Sequence, residues 1–200
     1  MREWLGRRFA RLATDAVVRW PWLWRFFRRP LGAMFDRVAP VWDSFLGPAH
    51  LAPYEAALAA VDGPVTRALD LGTGTGQGAI AISRRFPEAE VVGVDLAPHM
   101  LAEARRKAPT LEFVEADGAA LPFEDESFDL VAHANMIPFP DELARVLRSG
   151  GQALFAFSGG ADTPIYVTPD RLRTELGRRG FTDFADFSTG RGTALLARKR

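Results

Sequence analysis

The sequence contains no cysteine, and this absence excludes a group of chemistries. Disulfide bonds, thiolate zinc sites and thiol nucleophiles cannot be built without that residue. Attack on a pyrimidine ring carbon through a thiol adduct is excluded for the same reason. The three histidines, His50, His99 and His133, are scattered along the chain and form no metal-ligand pattern. We therefore expect no metal site.

Lysine and tyrosine are also scarce, and long apolar runs are missing. The chain has two lysines, Lys107 and Lys199, and two tyrosines, Tyr54 and Tyr166, so no Tyr-x-x-x-Lys catalytic pair can be formed. No stretch reaches the roughly 18 uncharged apolar residues that a spanning helix needs. No apolar segment precedes a small-residue cleavage site, which makes a cytoplasmic location the expectation.

The formal net charge of the chain is zero, but the charges are unevenly distributed along the sequence. Residues 1–40 contain nine arginines and three acidic residues, a formal charge of +6, and the remainder carries −6. A net acidic main body disfavours a nucleic-acid footprint, so no nucleic-acid partner is expected.

Glycine, in contrast, is concentrated in one stretch that organises the chain. Residues 68–79 read ALDLGTGTGQGA. The apolar run over 65–71 predicts a buried strand, and residues 79–83 open a helix. Glycines at 72, 74, 76 and 78 let the backbone turn sharply and approach a ligand closely. Strand, glycine loop and helix form the first unit of a nucleotide-binding α/β sheet.

Two aspartates follow the glycine loop at informative distances. Asp95 ends a second predicted strand, 23 residues after Gly72, where a carboxylate can accept both hydroxyls of a ribose. Asp117 ends a third predicted strand and, with Gly118 and Ala119, could meet an adenine edge. The alternative for each aspartate is a helix N-cap or a turn. The alignment of three strand ends favours a ligand site.

The order of these motifs resembles that of class I S-adenosylmethionine-dependent methyltransferases. Asp70-x-Gly72-x-Gly74-x-Gly76 is followed by Asp95, Asp117, Phe128-Asp129-Leu130-Val131 and Leu147-Arg148-Ser149-Gly150-Gly151. The resemblance covers roughly residues 60–200. It is nearest to small-molecule methyltransferases of ubiquinone and menaquinone biosynthesis, which carry a segment like residues 34–43, MFDRVAPVWD, ahead of the fold. Trp42 stands where that segment usually has tyrosine.

The resemblance implies the fold and the cofactor. The expected fold is α/β, a doubly wound, mainly parallel seven-stranded Rossmann-like sheet. An amphipathic helical segment, residues 1–46, would precede a cofactor-binding domain, residues 47–200. Alternating strands and helices with a terminal hairpin favour the same architecture. The residues expected to bind S-adenosylmethionine are Asp70, Gly72, Thr73, Gly74, Gly76, Asp95, Leu96, Met100, Asp117, Gly118, Ala119, Asn135, Phe35 and Trp42.

The beginning of the chain predicts an amphipathic helix over residues 2–20, followed by a short element that Pro30 ends. The helix carries apolar residues at helical spacing: Trp4, Leu5, Phe9, Leu12, Ala13, Ala16, Val17 and Trp20. Three functions stay open: a cap packed on the domain, peripheral contact of residues 2–29 with an anionic membrane, or contact with another subunit. In residues 31–46, Phe35 and Trp42 share a helical face; they either cover the cofactor, as the resemblance implies, or belong to the core.

Methyl transfer from a sulfonium is an in-line displacement, and its neutral thioether leaving group needs no acid. A base helps when the nucleophile is a weak acid. The candidates at the end of the fourth predicted strand are His133, which could instead be structural, and secondarily Asp141. Asn135 could bind a ligand or satisfy a local turn. The Asn/Asp-Pro-Pro-aromatic signature of enzymes that methylate amino groups on bases is missing, since residues 135–138 read NMIP.

The sequence therefore predicts transfer of a methyl group from S-adenosylmethionine to a small, hydrophobic molecule, and it gives no oligomeric state. Two alternatives remain. One is a non-catalytic methyltransferase-like adaptor that docks through its basic helix. The other is a dinucleotide-binding oxidoreductase, because Gly74-x-Gly76-x-x-Ala79 matches a dinucleotide fingerprint.

Overall fold

A seven-stranded sheet forms the centre of the molecule. The computed structural model describes residues 2–47 and 49–200, with side chains described from Arg8 onward, so the predicted apolar positions Trp4 and Leu5 lie outside the described side chains. The strand order is β3-β2-β1-β4-β5-β7-β6. The strands are β1 (Arg67–Leu71), β2 (Glu90–Asp95), β3 (Glu112–Glu115), β4 (Phe128–Ala134), β5 (Leu147–Phe157), β6 (Phe181–Thr189) and β7 (Gly192–Lys199).

Pairing in the sheet is mostly parallel. Strands β1 to β5 pair in parallel, and β7 lies antiparallel to both β5 and β6. The central strand β4 is buried over six of its seven residues, as expected for a strand covered on both faces. The predicted sheet, its antiparallel strand and the terminal hairpin are confirmed.

Helices cover both faces of the sheet. One face packs against α3 (Ala52–Ala59), α4 (Gln77–Arg85) and α5 (Pro98–Lys107). The other packs against α6 (Pro140–Val146) and α7 (Pro169–Gly177). Proline occupies an early position in α3, α5, α6 and α7, where its missing N–H costs nothing.

The chain begins with two helices that pack on the loops at one edge of the sheet. They are α1 (Arg2–Arg19) and α2 (Trp24–Val38), joined by the 3₁₀ turn Pro21–Leu23; the 3₁₀ segment Ala39–Phe45 follows α2. The expectation that Pro30 ends a helix is wrong, because Pro30 lies inside α2. An interior proline costs about 3 kcal/mol. Buried Leu31 and partly buried Phe27 and Phe35, in contact with the core, stabilise the helix across it.

The apolar residues of α1 divide between two surfaces. Ala10, Ala13 and Val17 are buried in a cluster with Leu31 of α2 and with three residues beyond the sheet, Ile137, Phe139 and Ile165. Phe9, Leu12 and Trp20 are exposed. One face of α1 thus caps the domain, and a second apolar face does not. Within residues 2–47 and 49–200, no helix is long and apolar enough to cross a bilayer.

Candidate cofactor site

The glycine loop between β1 and α4 has the left-handed backbone that its sequence predicts. Gly72, Gly74 and Gly76 have φ values of 71°, 53° and 86°, a region that glycine enters without strain. The N–H groups of Gly72 and Thr73 donate to the Val94 carbonyl at 2.8 and 2.9 Å. These bonds fix the loop to the end of the neighbouring strand β2.

Asp70 lies beneath this loop. Its carboxylate is 2% exposed and accepts from the Tyr54 hydroxyl at 3.1 Å and the Thr73 hydroxyl at 2.6 Å. A Cβ on Gly78 would collide with it. Burial raises the pKa of Asp70 to about 6, against hydrogen bonds from Thr73, Tyr54 and the backbone of Ala79 that lower it. Asp70 thus stabilises the loop through Thr73 and Tyr54, and contact of Asp70 or Thr73 with the cofactor stays a prediction.

Asp95 stands at the carboxyl end of β2, beside the loop. Its Oδ2 accepts from the Gly74 N–H at 2.8 Å, and its Oδ1 accepts from the Ala97 N–H at 2.9 Å. Burial raises its pKa, and the backbone hydrogen bonds act in the opposite direction. A carboxylate oxygen has two lone pairs, so each oxygen keeps one acceptor position. Asp95 therefore acts as the cap of the β2–α5 turn and retains acceptor positions for ribose hydroxyls.

Asp117 is bound by side chains of α2. Its Oδ1 accepts from the Trp24 indole N–H at 2.6 Å, and Arg28 lies 3.2 Å from Oδ2. The Ala119 N–H also donates to Oδ1, at 3.0 Å. Trp24 packs edge-on against Phe139, with the ring centroids 5.1 Å apart. The predicted adenine position is thus walled by α2, and sequence reasoning missed both Trp24 and Arg28.

The 3₁₀ segment Ala39–Phe45 covers the glycine loop. Asp43 Oδ1 accepts from the Thr75 hydroxyl at 2.7 Å and the Gln77 amide at 2.9 Å, and Asp43 also pairs with Lys107. Burial alone would raise the pKa of Asp43, but hydrogen bonds from Lys107, Thr75 and Gln77 lower it. Sequence reasoning quoted Asp43 in a motif but gave it no role.

Phe35 and Trp42 form the apolar part of this cover. Their rings meet edge-on, with centroids 5.6 Å apart, and they pack on Met100, which is buried with Ala39 and Ala97. Trp42 Nε1 would lie 3.8 Å from a Cβ on Gly74. Phe35 and Trp42 therefore both belong to the core and cover the loop. Met100 is a packing residue of α5 and not an open contact surface.

The predicted site residue Leu96 and the residue Met136, to which the sequence gave no role, are apolar side chains that lie against glycines. Leu96 lies against Gly32 of α2, within 3.3 Å of a Cβ placed there. The Met136 side chain spans from Gly72 to Gly118: a Cβ on either glycine would stand 2.6 Å from its Sδ or Cε. Met136 thus lies across the crevice between the glycine loop and the Asp117 turn.

The candidate base His133 is corrected by its surroundings. Its ring is fully buried in β4, its two nitrogens have no hydrogen-bond partner among the described residues, and it packs edge-on against Phe155 with the centroids 4.5 Å apart. Burial lowers its pKa to about 3. The side chain alternation of β4 turns His133 into the core, although the strand ends at the site. It cannot reach a substrate in this structure.

The two other polar candidates at this edge have local partners. Asn135 has φ of 53°, and its Oδ1 accepts from the Ser158 N–H at 2.9 Å and from the Ser158 hydroxyl at 3.2 Å. This supports the turn alternative for Asn135. Asp141 pairs with Arg179 at 2.6 Å, and that hydrogen bond lowers the pKa of Asp141. Neither side chain is an available base.

Comparison with known proteins shows what this chain is similar to. Residues 68–151 match the family described as "Methyltransferase domain". Structural similarity extends further: a SAM-dependent methyltransferase from Aquifex aeolicus superposes with a TM-score of 0.65 at 17% identity, covering 78% of this chain and 95% of that one. Over residues 68–151 the sequence is therefore similar to methyltransferase domains, and the fold is similar to that of S-adenosylmethionine-dependent methyltransferases.

Several of the sequence relatives are demethylmenaquinone methyltransferases, and others are methyltransferases named for different acceptors, such as trans-aconitate. Demethylmenaquinone methyltransferase of Thermus thermophilus is 50% identical over 97 residues, 43% of this chain and 44% of the relative. That of Chlorobaculum tepidum is 37% identical over 145 residues, 63% of this chain and 58% of the relative. The chain spans about half the length of these curated relatives.

The residues fit the cofactor of this class, S-adenosylmethionine. Gly72, Gly74 and Gly76 carry no side chain, so a ligand can approach the loop backbone closely once the flexible Met136 side chain moves away from Gly72. Asp95 offers two acceptor positions at the adjacent strand end. The predicted site residues that lie around the loop and the adjacent strand ends, whose contact with the cofactor stays a prediction, are Gly72, Gly74, Gly76, Asp95, Leu96, Asp117, Gly118, Ala119, Phe35 and Trp42.

Proposed function

We propose that this chain transfers a methyl group from S-adenosylmethionine to a small, hydrophobic molecule. The observation that carries the proposal is the glycine loop held against Asp95 and enclosed by apolar side chains. Those side chains come from α2 and from the segment after β4: Met136 lies against Gly72 and Gly118, Phe139 lies against Gly118, and Trp24 binds Asp117. Such walls exclude water and favour an apolar acceptor.

In this mechanism the chain positions the reactants and supplies no general base from β4. The bound cofactor provides an electrophilic methyl group on a sulfonium. Asp95 and the glycine loop would hold the ribose end, and Asp117 would hold the adenine end once Trp24 and Arg28 make room. The rate acceleration comes from aligning the acceptor with the methyl group and from excluding water, without a contribution from a catalytic base. His133 and Asp141 are withdrawn from the mechanism.

An acceptor pocket is supported by a cavity next to Ala119. Its volume is about 240 Å³, below the roughly 300–1,000 Å³ of typical ligand sites, so we expect it to widen on binding. Its apolar lining consists of Val17, Val18, Pro21, Ala119, Pro138, Phe139 and Pro140. Demethylmenaquinone, the acceptor named for the relatives, is the first compound to test.

The test is a transfer assay with the purified full chain. S-adenosylmethionine bearing an isotopically labelled methyl group is incubated with demethylmenaquinone and with a panel of small hydrophobic alcohols, phenols and amines. We expect labelled product by mass spectrometry and calorimetric binding of S-adenosylhomocysteine. Cofactor binding without transfer to any acceptor would favour the adaptor, and binding of NAD(H) without S-adenosylmethionine would favour the oxidoreductase.

The organisation of the chain belongs to the same proposal. We place the boundary between the helical segment, residues 1–46, and the cofactor-binding domain, residues 47–200, at the end of the segment covering the glycine loop. We propose a cytoplasmic protein with peripheral membrane contact through residues 2–29, because a hydrophobic acceptor partitions into membranes.

A further inference from the structure

The first two helices carry a surface that the domain does not cover, which we name the aromatic–arginine surface. It consists of five exposed apolar residues and four exposed arginines: Phe9, Leu12, Trp20, Trp22, Phe26, Arg8, Arg19, Arg25 and Arg29. Among the described residues, seven large apolar side chains are exposed, and these five are in the first two helices and their connection. Leu12, Trp22 and Phe26 are 66%, 59% and 57% exposed.

The apolar members of this surface adjoin one another. Phe9 and Leu12 stand one turn apart on α1. The Phe9 ring contacts Phe27 of α2, with centroids 5.9 Å apart, and Trp22 contacts Phe26 at 6.2 Å. The contacts therefore carry the apolar surface from α1 across to α2. A contiguous exposed apolar patch marks an interaction site.

Two of these arginines, Arg19 and Arg25, lie against the aromatic rings of the surface. Arg19 lies over the Trp20 ring at 5.0 Å, and Arg25 lies over the Phe26 ring at 4.7 Å. In the described part of the chain, Arg19, Arg25 and Arg29 form no ion pair with an acidic side chain. Residues 8–29 contain six arginines and only Asp15 as an acid. The surface combines apolar rings with uncompensated positive charge.

We propose that the aromatic–arginine surface binds the surface of an anionic lipid bilayer. Trp and Phe rings lie at the boundary between headgroups and acyl chains, and arginines beside them bind lipid phosphates. A second copy of the chain fits less well, because a two-fold contact would place the same arginines opposite each other. The inference rests on the proposed function only in explaining why the protein would bind a membrane, namely that its acceptor is hydrophobic.

Vesicle co-sedimentation of the full chain tests the proposal without cofactor or acceptor. We expect binding to vesicles of equal parts phosphatidylglycerol and phosphatidylcholine, little binding to phosphatidylcholine alone, and a steep loss with added salt. All five tryptophans lie in residues 1–42, so intrinsic fluorescence reports on the first helices. Brominated lipids should quench it in the intact chain and less in Trp20→Phe/Trp22→Phe.

Matched variants separate the surface from general charge and apolarity. Arg25→Gln/Arg29→Gln should weaken binding roughly tenfold or more, at about a fivefold loss per arginine. The control Arg84→Gln/Arg85→Gln removes two exposed arginines from α4, where Arg85 also lies 4.7 Å over a phenylalanine ring. Phe26→Ser should weaken binding, and Phe45→Ser, equally exposed outside the surface, should not.

Three results would overturn the proposal. The first is an equal loss of vesicle binding in the surface variants and the control variants. The second is no binding of the intact chain to anionic vesicles. The third is a dimer in solution that Phe26→Ser converts to a monomer. An unchanged melting temperature in each variant excludes unfolding as the cause. Because methyl transfer is measured separately, vesicle binding can fail while the proposed activity is found, and the reverse.

Discussion

At the residue scale, Asp95 combines two roles that the sequence could not separate. It holds the Gly74 and Ala97 N–H groups and also keeps free acceptor positions. Asp95→Ala should weaken binding of S-adenosylhomocysteine at least tenfold, since charge-assisted hydrogen bonds contribute roughly 1.5–3 kcal/mol each. Titration calorimetry measures the loss.

The matched variant for this prediction is Asp95→Asn. It keeps one acceptor oxygen for the backbone N–H groups, so it should lower the melting temperature less than Asp95→Ala does. If both variants fold and bind the cofactor as the wild type does, Asp95 is a turn cap alone.

Asp70 should make stability depend on pH. Its pKa in the folded protein is raised to about 6, above its ordinary value, so the folded state binds the proton more tightly than the unfolded state. Stability from this group is therefore fully present at low pH and is lost as pH rises through about 6. The Asp70→Asn variant lacks this titration.

Denaturant titrations of the wild type and Asp70→Asn at several pH values test this expectation. The stability of the wild type relative to the variant should rise by roughly 1–3 kcal/mol between pH 7 and pH 4. Asp95 titrates in both proteins, so the difference reports the titration of Asp70 together with its electrostatic coupling to Asp95. A constant difference across this range would show that Asp70 does not titrate there.

Sequence reasoning predicted these residues unequally well. The left-handed glycines and the position of Asp95 at a strand end could be predicted because backbone turns and strand ends have local signatures. The position of His133 could not, because a polar residue on a central strand has the same sequence context whether its side chain faces the site or the core. Trp24 and Arg28 lie far in sequence from Asp117, and no local pattern links them.

At the scale of elements, the segment Ala39–Phe45 covers the glycine loop and is attached to it through Asp43. Asp43→Ala removes the acceptor for Thr75 and Gln77 and the partner of Lys107. We expect cofactor affinity to fall roughly three- to tenfold, mainly through faster dissociation. Stopped-flow fluorescence of the tryptophans measures the dissociation rate.

Ser44→Ala is the control for this prediction. Ser44 lies in the same segment and donates only to the Val41 carbonyl, so its removal should leave dissociation nearly unchanged. Equal effects of the two variants would indicate that the segment acts through its own helix geometry and not through Asp43.

The helix α1 shows why a sequence can predict a helix without predicting which of its faces is buried. Its apolar residues recur at helical spacing, and the sequence gives one wide apolar face. In the structure, Ala10, Ala13 and Val17 pack inward while Phe9 and Leu12 stay exposed. Which part of a wide stripe is buried depends on neighbours distant in sequence, here Ile137, Phe139 and Ile165.

At the scale of the whole molecule, the first helices and the domain should unfold together. Leu31→Ala removes a side chain that is 3% exposed. A cost of about 2–5 kcal/mol would lower the melting temperature by roughly 4–15 °C. Leu12→Ala, which truncates an exposed leucine, should leave it within a degree or two.

Calorimetry of both variants gives the result. One transition that shifts as a whole in Leu31→Ala would confirm a single cooperative unit. Two separated transitions, with only the first affected, would show that the helical segment melts independently of the sheet.

The strand order has a consequence for synthesis. Strand β6 pairs with β7, and β7 also pairs with the outer side of β5; the Arg200 N–H then donates to the Gly180 carbonyl at 3.0 Å. A ribosome delivers β6 before the strand that must lie between it and β5. Until residues 192–199 have left the exit tunnel, β5 has an open edge and β6 has no partner in the finished sheet. Strands β1 to β5 can pair earlier. We therefore expect the nascent chain to form the part of the sheet that carries the glycine loop first, and to add β7 and β6 last.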